Sequence, residues 1–184
     1  MRFVVIDGLD AAGKDTQAQL LKENLEEKGE KVEIYSHPSS KCVFGSKAEE
    51  ALLGNGRFSK ARASFFFTLD VIDSILKSKN DVDTIIFVRY LCSVAYLPQP
   101  FVERSYKFFS SLFPTSPYMF FLDVEPKDAV NRIGKREKKQ IFENEEDIKK
   151  VRKKVQNLLD DWHVIETSKP ISQVQKEIEE IIEQ

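Results

Sequence analysis

Short apolar runs alternate along the chain with longer segments in which apolar residues recur every three or four positions. Phe3 to Ile6 is an apolar run of strand length. Ala18, Leu21 and Leu25 then fall at helical spacing, and Gly29 predicts the end of that helix. Val32 to Tyr35 reads as a second strand, followed by the polar loop Ser36-His37-Pro38-Ser39-Ser40. A short helix is expected over Val43 to Leu53, stopping at Gly54-Asn55-Gly56. A longer helix follows with Phe65, Leu69, Ile72 and Leu76 on one stripe, and the triplet Phe65-Phe66-Phe67 supplies more rings than that stripe needs. Thr84 to Val88 reads as a third, buried strand. Beyond the break at Pro98-Gln99-Pro100, the spacing predicts a helix over Phe101 to Phe113, a fourth strand over Tyr118 to Leu122 and a helix beginning over Lys127 to Ile133. That helix runs into the basic stretch Gly134-Lys135-Arg136-Glu137-Lys138-Lys139. Ile148, Val151, Val155 and Leu158 mark another amphipathic helix, Trp162 to Ile165 a fifth strand, and Ile171, Val174, Ile178 and Ile181 a closing helix.

Strands that alternate with helices predict an α/β fold with a parallel sheet. No repeat, linker or low-complexity segment interrupts the 184 residues, so a single domain over 1–184 is expected. The net charge of −2 gives no electrostatic case for nucleic acid or a membrane surface. No apolar run is long enough to span a bilayer, and the N-terminal run reads as a core strand, not a cleavable signal. Two distant cysteines, Cys42 and Cys92, and two histidines argue against a zinc site or a disulfide scaffold. Together these absences point to the cytoplasm.

The stretch that carries chemistry is Gly8-Leu9-Asp10-Ala11-Ala12-Gly13-Lys14-Asp15-Thr16, between the first strand and the first helix. Strand, glycine loop and helix in that order make a phosphate-binding loop. Glycines let the backbone curl so that successive N–H groups converge on phosphate oxygens, and the helix N-terminus adds positive potential. Lys14 is placed to reach the β- and γ-phosphates. The usual pattern ends Gly-Lys-Ser/Thr, whose hydroxyl holds magnesium; here Asp15 stands in that place and the hydroxyl follows at Thr16. Asp15 is either a direct ligand for magnesium or a first-turn carboxylate favoured by the helix dipole.

Several separated segments, in consistent order over essentially the whole length, resemble thymidylate kinases. They are Val4 to Gln17, Arg89-Tyr90 with Ser93-Val94-Ala95-Tyr96, Phe121-Leu122-Asp123-Val124 with Ala129 and Arg132-Ile133, Phe142-Glu143-Asn144 with Val151-Arg152, and Trp162 to Lys169. The resemblance implies a P-loop NTPase-type three-layer sandwich, with a five-stranded parallel sheet, helices on both faces and a short basic lid at about 132–144. It implies magnesium-dependent transfer of a phosphoryl group from ATP to dTMP, with ATP and Mg2+ as the bound groups, nucleotides as the partners, and a homodimer. Gly8, Asp10, Ala11, Ala12, Gly13, Lys14, Asp15 and Thr16 would cradle ATP phosphates, with Ser168 and Lys169 near adenine. Arg132 and Arg136 would close over the transferred phosphoryl beside Lys14 and Arg89. Asp10, Pro38, Phe67, Asp70, Arg89, Tyr90 and Tyr96 would line the acceptor site. Phe67 best matches the ring that stacks on thymine, with Phe66 the neighbouring alternative.

The departures from that family gather on the acceptor side. The Asp that precedes Arg-Tyr after the third strand is Val88 here, Arg-Glu-Pro becomes Ser36-His37-Pro38, and the Arg four residues after the stacking Phe is Val71. Arg57 and Arg62 are nearby in sequence as substitutes. A carboxylate gained at Asp15 and lost at Val88 suggests that the acidic ligand has moved to the other side of the ion. Two other readings stay open beside the dTMP kinase: a kinase on this scaffold with another acceptor (a different nucleotide, a nucleoside or polyphosphate), and an ATP-binding relative with little catalysis.

Overall fold

The computed structural model describes residues 1–54, 59–78, 81–134 and 145–183. Strands β1 (Arg2–Gly8), β2 (Val32–Ser36), β3 (Thr84–Val88), β4 (Tyr118–Asp123) and β5 (His163–Glu166) form one parallel sheet in the order β2-β3-β1-β4-β5. Helices α1 (Lys14–Glu27), α2 (Val43–Leu53), α3 (Ser59–Lys77), α4 (Gln99–Leu112), α5 (Pro126–Ile133), α6 (Glu145–Val155) and α7 (Ile171–Ile182) lie on both sides of it. Val4, Val5 and Ile6 of β1 and Ile85 to Val88 of β3 are buried without alternation. A strand covered on both faces needs apolar residues at every position, which is why these segments read as continuous runs.

α1 buries Ala18, Leu21 and Leu25, as their spacing predicts. It ends at Glu27, and Gly29 then adopts φ +88°, its N–H donating to the Glu26 carbonyl. That left-handed position suits glycine because it lacks a Cβ. Ile148, Val151, Val155 and Leu158 are all buried, the last in a short 3-10 turn that continues α6.

The expected stripe of α3 is overturned. Phe65 is 60% exposed and Leu76 80% exposed. The buried positions are Ser59, Ala63, Asp70, Val71 and Ser74, on another face of the helix. Three smaller differences accompany it. Leu91–Tyr96 forms a 3-10 segment not foreseen from the pattern. β5 begins at His163, because Trp162 is buried just before it with its indole N–H on the Tyr106 hydroxyl at 2.7 Å. Ile182, not Ile181, is buried in α7, and Ile171 is exposed.

Candidate active site

The carboxyl ends of β1, β2 and β3 bring Gly8, Ser36 and Arg89 to one edge of the sheet, where ligands of open α/β sheets bind. The loop after β1 fits a phosphate chain. Gly8 has φ +148°, and a Cβ there would meet the Leu122 carbonyl oxygen at 2.3 Å. Ala11 at φ 60° and Gly13 at φ 92° mix left-handed residues into the turn, a backbone form that points N–H groups inward. The Lys14 side chain curls over this loop and donates to the Gly8 carbonyl at 2.9 Å and the Leu9 carbonyl at 2.6 Å.

Lys14 is only 3% exposed. Burial, and then the nearby Arg89 cation, push its ammonium down to about 8. Above that pH the free protein holds a neutral amine, while phosphate oxygens favour the ammonium. On nucleotide binding this group is therefore expected to take up roughly three quarters of a proton at pH 8.5 and close to none at pH 6.5. Titration calorimetry of ADP in buffers of different ionisation heat measures this, and Lys14→Met should abolish it.

Asp15, at the head of α1, meets the other two strand ends. Arg89 grips it as a fork, Nη1 to Oδ1 at 3.1 Å and Nη2 to Oδ2 at 2.9 Å. The Ser36 hydroxyl donates to Asp15 Oδ1 at 2.9 Å and accepts from Arg89 Nη1 at 3.3 Å. Burial pushes the Asp15 carboxyl up, but Arg89 and Ser36 outweigh it and hold the group down at about 2. These are hard oxygen donors that already surround a cation, so they fit a divalent ion shared with phosphate oxygens. Among the described residues no three His, Cys, Asp or Glu side chains stand close enough to hold a metal unaided.

Asp7 organises this edge, and it is the residue that motif reading passed over. Its Oδ1 accepts the Gly8 N–H at 2.9 Å, and its Oδ2 accepts the Tyr90 and Cys92 N–H groups at 2.8 and 3.0 Å. Those bonds clasp the turn in which Arg89 takes φ 61°. The available signal was a carboxylate closing an otherwise apolar strand. Across the loop, the Tyr96 hydroxyl donates to Asp10 Oδ2 at 2.7 Å.

A cleft of about 370 Å³ runs from Lys14, Asp10 and Asp15 past Arg89 to Pro38, Phe67, Tyr90 and Tyr96. Of the three adjacent rings, Phe67 lines it; Phe66 lies under the Lys47 ammonium, and Phe65 faces outward. Tyr90 is mostly core, its hydroxyl donating to the Pro114 carbonyl at 3.1 Å. His37 is buried in the cleft wall. Its Nδ1 lies 3.3 and 3.1 Å from the Val88 and Arg89 carbonyls, which it serves as donor, so Nε2 accepts from the Ser74 hydroxyl at 2.9 Å. Burial lowers its pKa, which favours this neutral form.

Asp70 is a correction to the acceptor set. It is 0% exposed and does not line the cleft. Its Oδ2 accepts the Ser39 N–H at 2.7 Å and its Oδ1 the Cys42 thiol at 2.9 Å, so its oxygens serve the loop after β2. Val71 and Val88 are buried, Arg62 is exposed, and Arg57 lies outside the described residues.

On the other side of the loop, Arg132 Nη1 donates to the Ala11 carbonyl at 3.2 Å and Nη2 to the Thr167 carbonyl at 2.7 Å. It thus ties the phosphate loop to the segment before α7. Ser168 donates to Glu166 at 2.8 Å, and Lys169 pairs with Glu177 at 2.5 Å. Ala12 is buried and Thr16 exposed. Arg136 and the rest of the expected lid from 135 to 144 lie outside the described residues.

Comparison with known proteins adds three findings. A family model described as thymidylate kinase matches residues 6–178. An Archaeoglobus fulgidus protein named "Probable thymidylate kinase" is 29% identical over 189 residues, spanning 98% of this chain and 94% of that protein. One of the same name from Methanocaldococcus jannaschii is 26% identical over 183 residues, spanning 96% and 93%. Among solved structures, thymidylate kinase from Candida albicans shares the fold, with a TM-score of 0.81 at 21% identity over 99% of this chain and 91% of that one.

Proposed function

Since this chain belongs to the thymidylate kinase family, we propose that it transfers the γ-phosphoryl group of ATP to dTMP, giving ADP and dTDP. The observation that carries this reading is the continuous cleft from Lys14 on the phosphate loop, past Arg89, to the Phe67 ring. Donor phosphate, acceptor phosphate and acceptor base can then lie in one line.

The chemistry needs no covalent nucleophile; it is positioning plus charge neutralisation. The loop from Gly8 to Thr16 cradles the donor phosphates, and Lys14 leaves its two carbonyls for their oxygens. Arg132 holds the loop against Thr167, with Ser168 and Lys169 beside the adenine. Arg136 brings a second cation from the lid. Arg89 takes the acceptor phosphate, Tyr96 fixes Asp10 against the acceptor sugar, and Phe67 stacks on the base between Pro38 and Tyr90. Asp15 would hold magnesium together with the nucleotide, and the ion would supply charge neutralisation for the transferred group. No helix of the described residues is long and apolar enough to cross a membrane; we place the protein in the cytoplasm. We assign it a homodimer through α3, whose exposed Phe65 and Leu76 leave an apolar face to cover.

A second reading has its own observation. Val71, 2% exposed, and Val88, fully buried, stand where the family carries an Arg and an Asp, which favours an altered acceptor. One experiment separates the two: ADP release from magnesium-ATP with dTMP, dUMP, the other common monophosphates, thymidine and no acceptor. Turnover is expected with dTMP and negligible without acceptor. Turnover confined to another acceptor would replace dTMP in the reading. Nucleotide binding without transfer to any acceptor would sink it.

A further inference from the structure

Arg89 has one side chain and two tasks at this site. The acceptor phosphate calls for its guanidinium, yet that guanidinium is spent on Asp15 Oδ1 and Oδ2 and on Ser36 Oγ. The same three oxygens are hard donors at the head of α1, where a metal bound to the donor phosphates needs ligands. A guanidinium gripping both carboxylate oxygens leaves little room for a second cation, and the two positive charges repel. The backbone at Arg89 is fixed by the Asp7 clasp on Tyr90 and Cys92. The movable part is therefore the side chain.

We propose that Arg89 in the nucleotide-free protein occupies the oxygen cradle of Asp15 and Ser36 that a divalent cation takes, and that this exchange releases Arg89 to the acceptor phosphate. Ser36, where the family tends to carry an Arg, is a positioning residue: it holds Asp15 and Arg89 at once. The protein thereby favours the acceptor once metal and donor are loaded. The metal half rests on the geometry alone; the acceptor half rests on the kinase reading above.

The test uses binding, not turnover. In nucleotide-free protein, Asp15→Asn is expected to tighten dTMP binding about fivefold, because the pair that sequesters Arg89 is gone, and exposed pairs are worth up to about that factor. A residue with only a structural role would weaken binding when replaced. In the wild type, magnesium with a non-hydrolysable ATP analogue should tighten dTMP by a similar factor, and that gain should vanish in Asp15→Asn. Ser36→Ala should shift dTMP in the same direction by less. Separately, Mn2+ binding followed by electron paramagnetic resonance without nucleotide should tighten in Arg89→Ala. Where the wild type binds dTMP, unchanged or weaker binding in Asp15→Asn overturns the exchange, as does unchanged Mn2+ affinity in Arg89→Ala in every case. Tightened Mn2+ binding with no dTMP binding in any state would support the exchange and overturn dTMP as the acceptor.

Discussion

Lys14→Met lowers kcat by about a thousandfold or more, the scale seen when a cation aimed at transition-state charge is removed. The replacement keeps the apolar length of the side chain and deletes only the ammonium. Stability should not fall with activity. A lysine with a folded pKa near 8 against an ordinary 10.5 is disfavoured as a cation in the native state. In linkage terms the unfolded chain binds the extra proton between those values, so this group's penalty is fully present below pH 8 and fades as pH rises towards 10.5. The difference corresponds to roughly 3 kcal/mol against the native state at neutral pH. Methionine removes that penalty and takes one hydrogen bond each from the Gly8 and Leu9 carbonyls, the second of which keeps the Ala12 N–H at 3.2 Å; a lost bond costs about 1 kcal/mol. The expected result is an inactive protein whose Tm is no lower than that of the wild type. Steady-state kinetics and thermal unfolding on the same samples check both halves; a lower Tm would show that Lys14 supports the fold.

Asp7→Ala is expected to act in the opposite way, through the fold first. It strands the N–H groups of Gly8, Tyr90 and Cys92, two of them bonded to one buried oxygen. An unpaired buried group costs about 1–3 kcal/mol, so the loss is about 3–9 kcal/mol for the three. That is a large share of the roughly 5–15 kcal/mol that holds a domain folded. Urea unfolding should show a much lower midpoint, or no folded protein at all. Asp7→Asn keeps one accepting oxygen and should be milder, which leaves the site measurable. With the turn at Arg89 loosened, KM for the acceptor should rise more than KM for ATP in Asp7→Asn. Equal rises in the two would mean that Asp7 serves the phosphate loop alone.

These two residues differ in how they could be recognised. Lys14 stands in a local pattern of strand, glycines and helix, and local patterns survive without the rest of the chain. Asp7 acts on residues more than eighty positions away. Nothing near it in sequence reveals that distance; only a carboxylate at the end of a buried strand hints at it. Asp70 follows Phe67 by three residues, about one helical turn, which in sequence points it to the acceptor site, yet its carboxylate turns to Ser39 and Cys42.

The sequence alone determined the alternation of strands and helices, the phosphate loop and most element bounds. These depend on spacing, on glycine conformations and on apolar runs, which are short-range properties. The tertiary structure decided which face of α3 is buried. Asp70 and Ser74 lie inward because the loop after β2 and His37 satisfy their hydrogen bonds, so hydrophobic periodicity alone points to the wrong face. It also decided that Asp15, Ser36 and Arg89 meet. That encounter follows from the order β2-β3-β1, which sets the end of β3 between the end of β2 and the phosphate loop. Strand order is a long-range packing outcome, and no local pattern carries it.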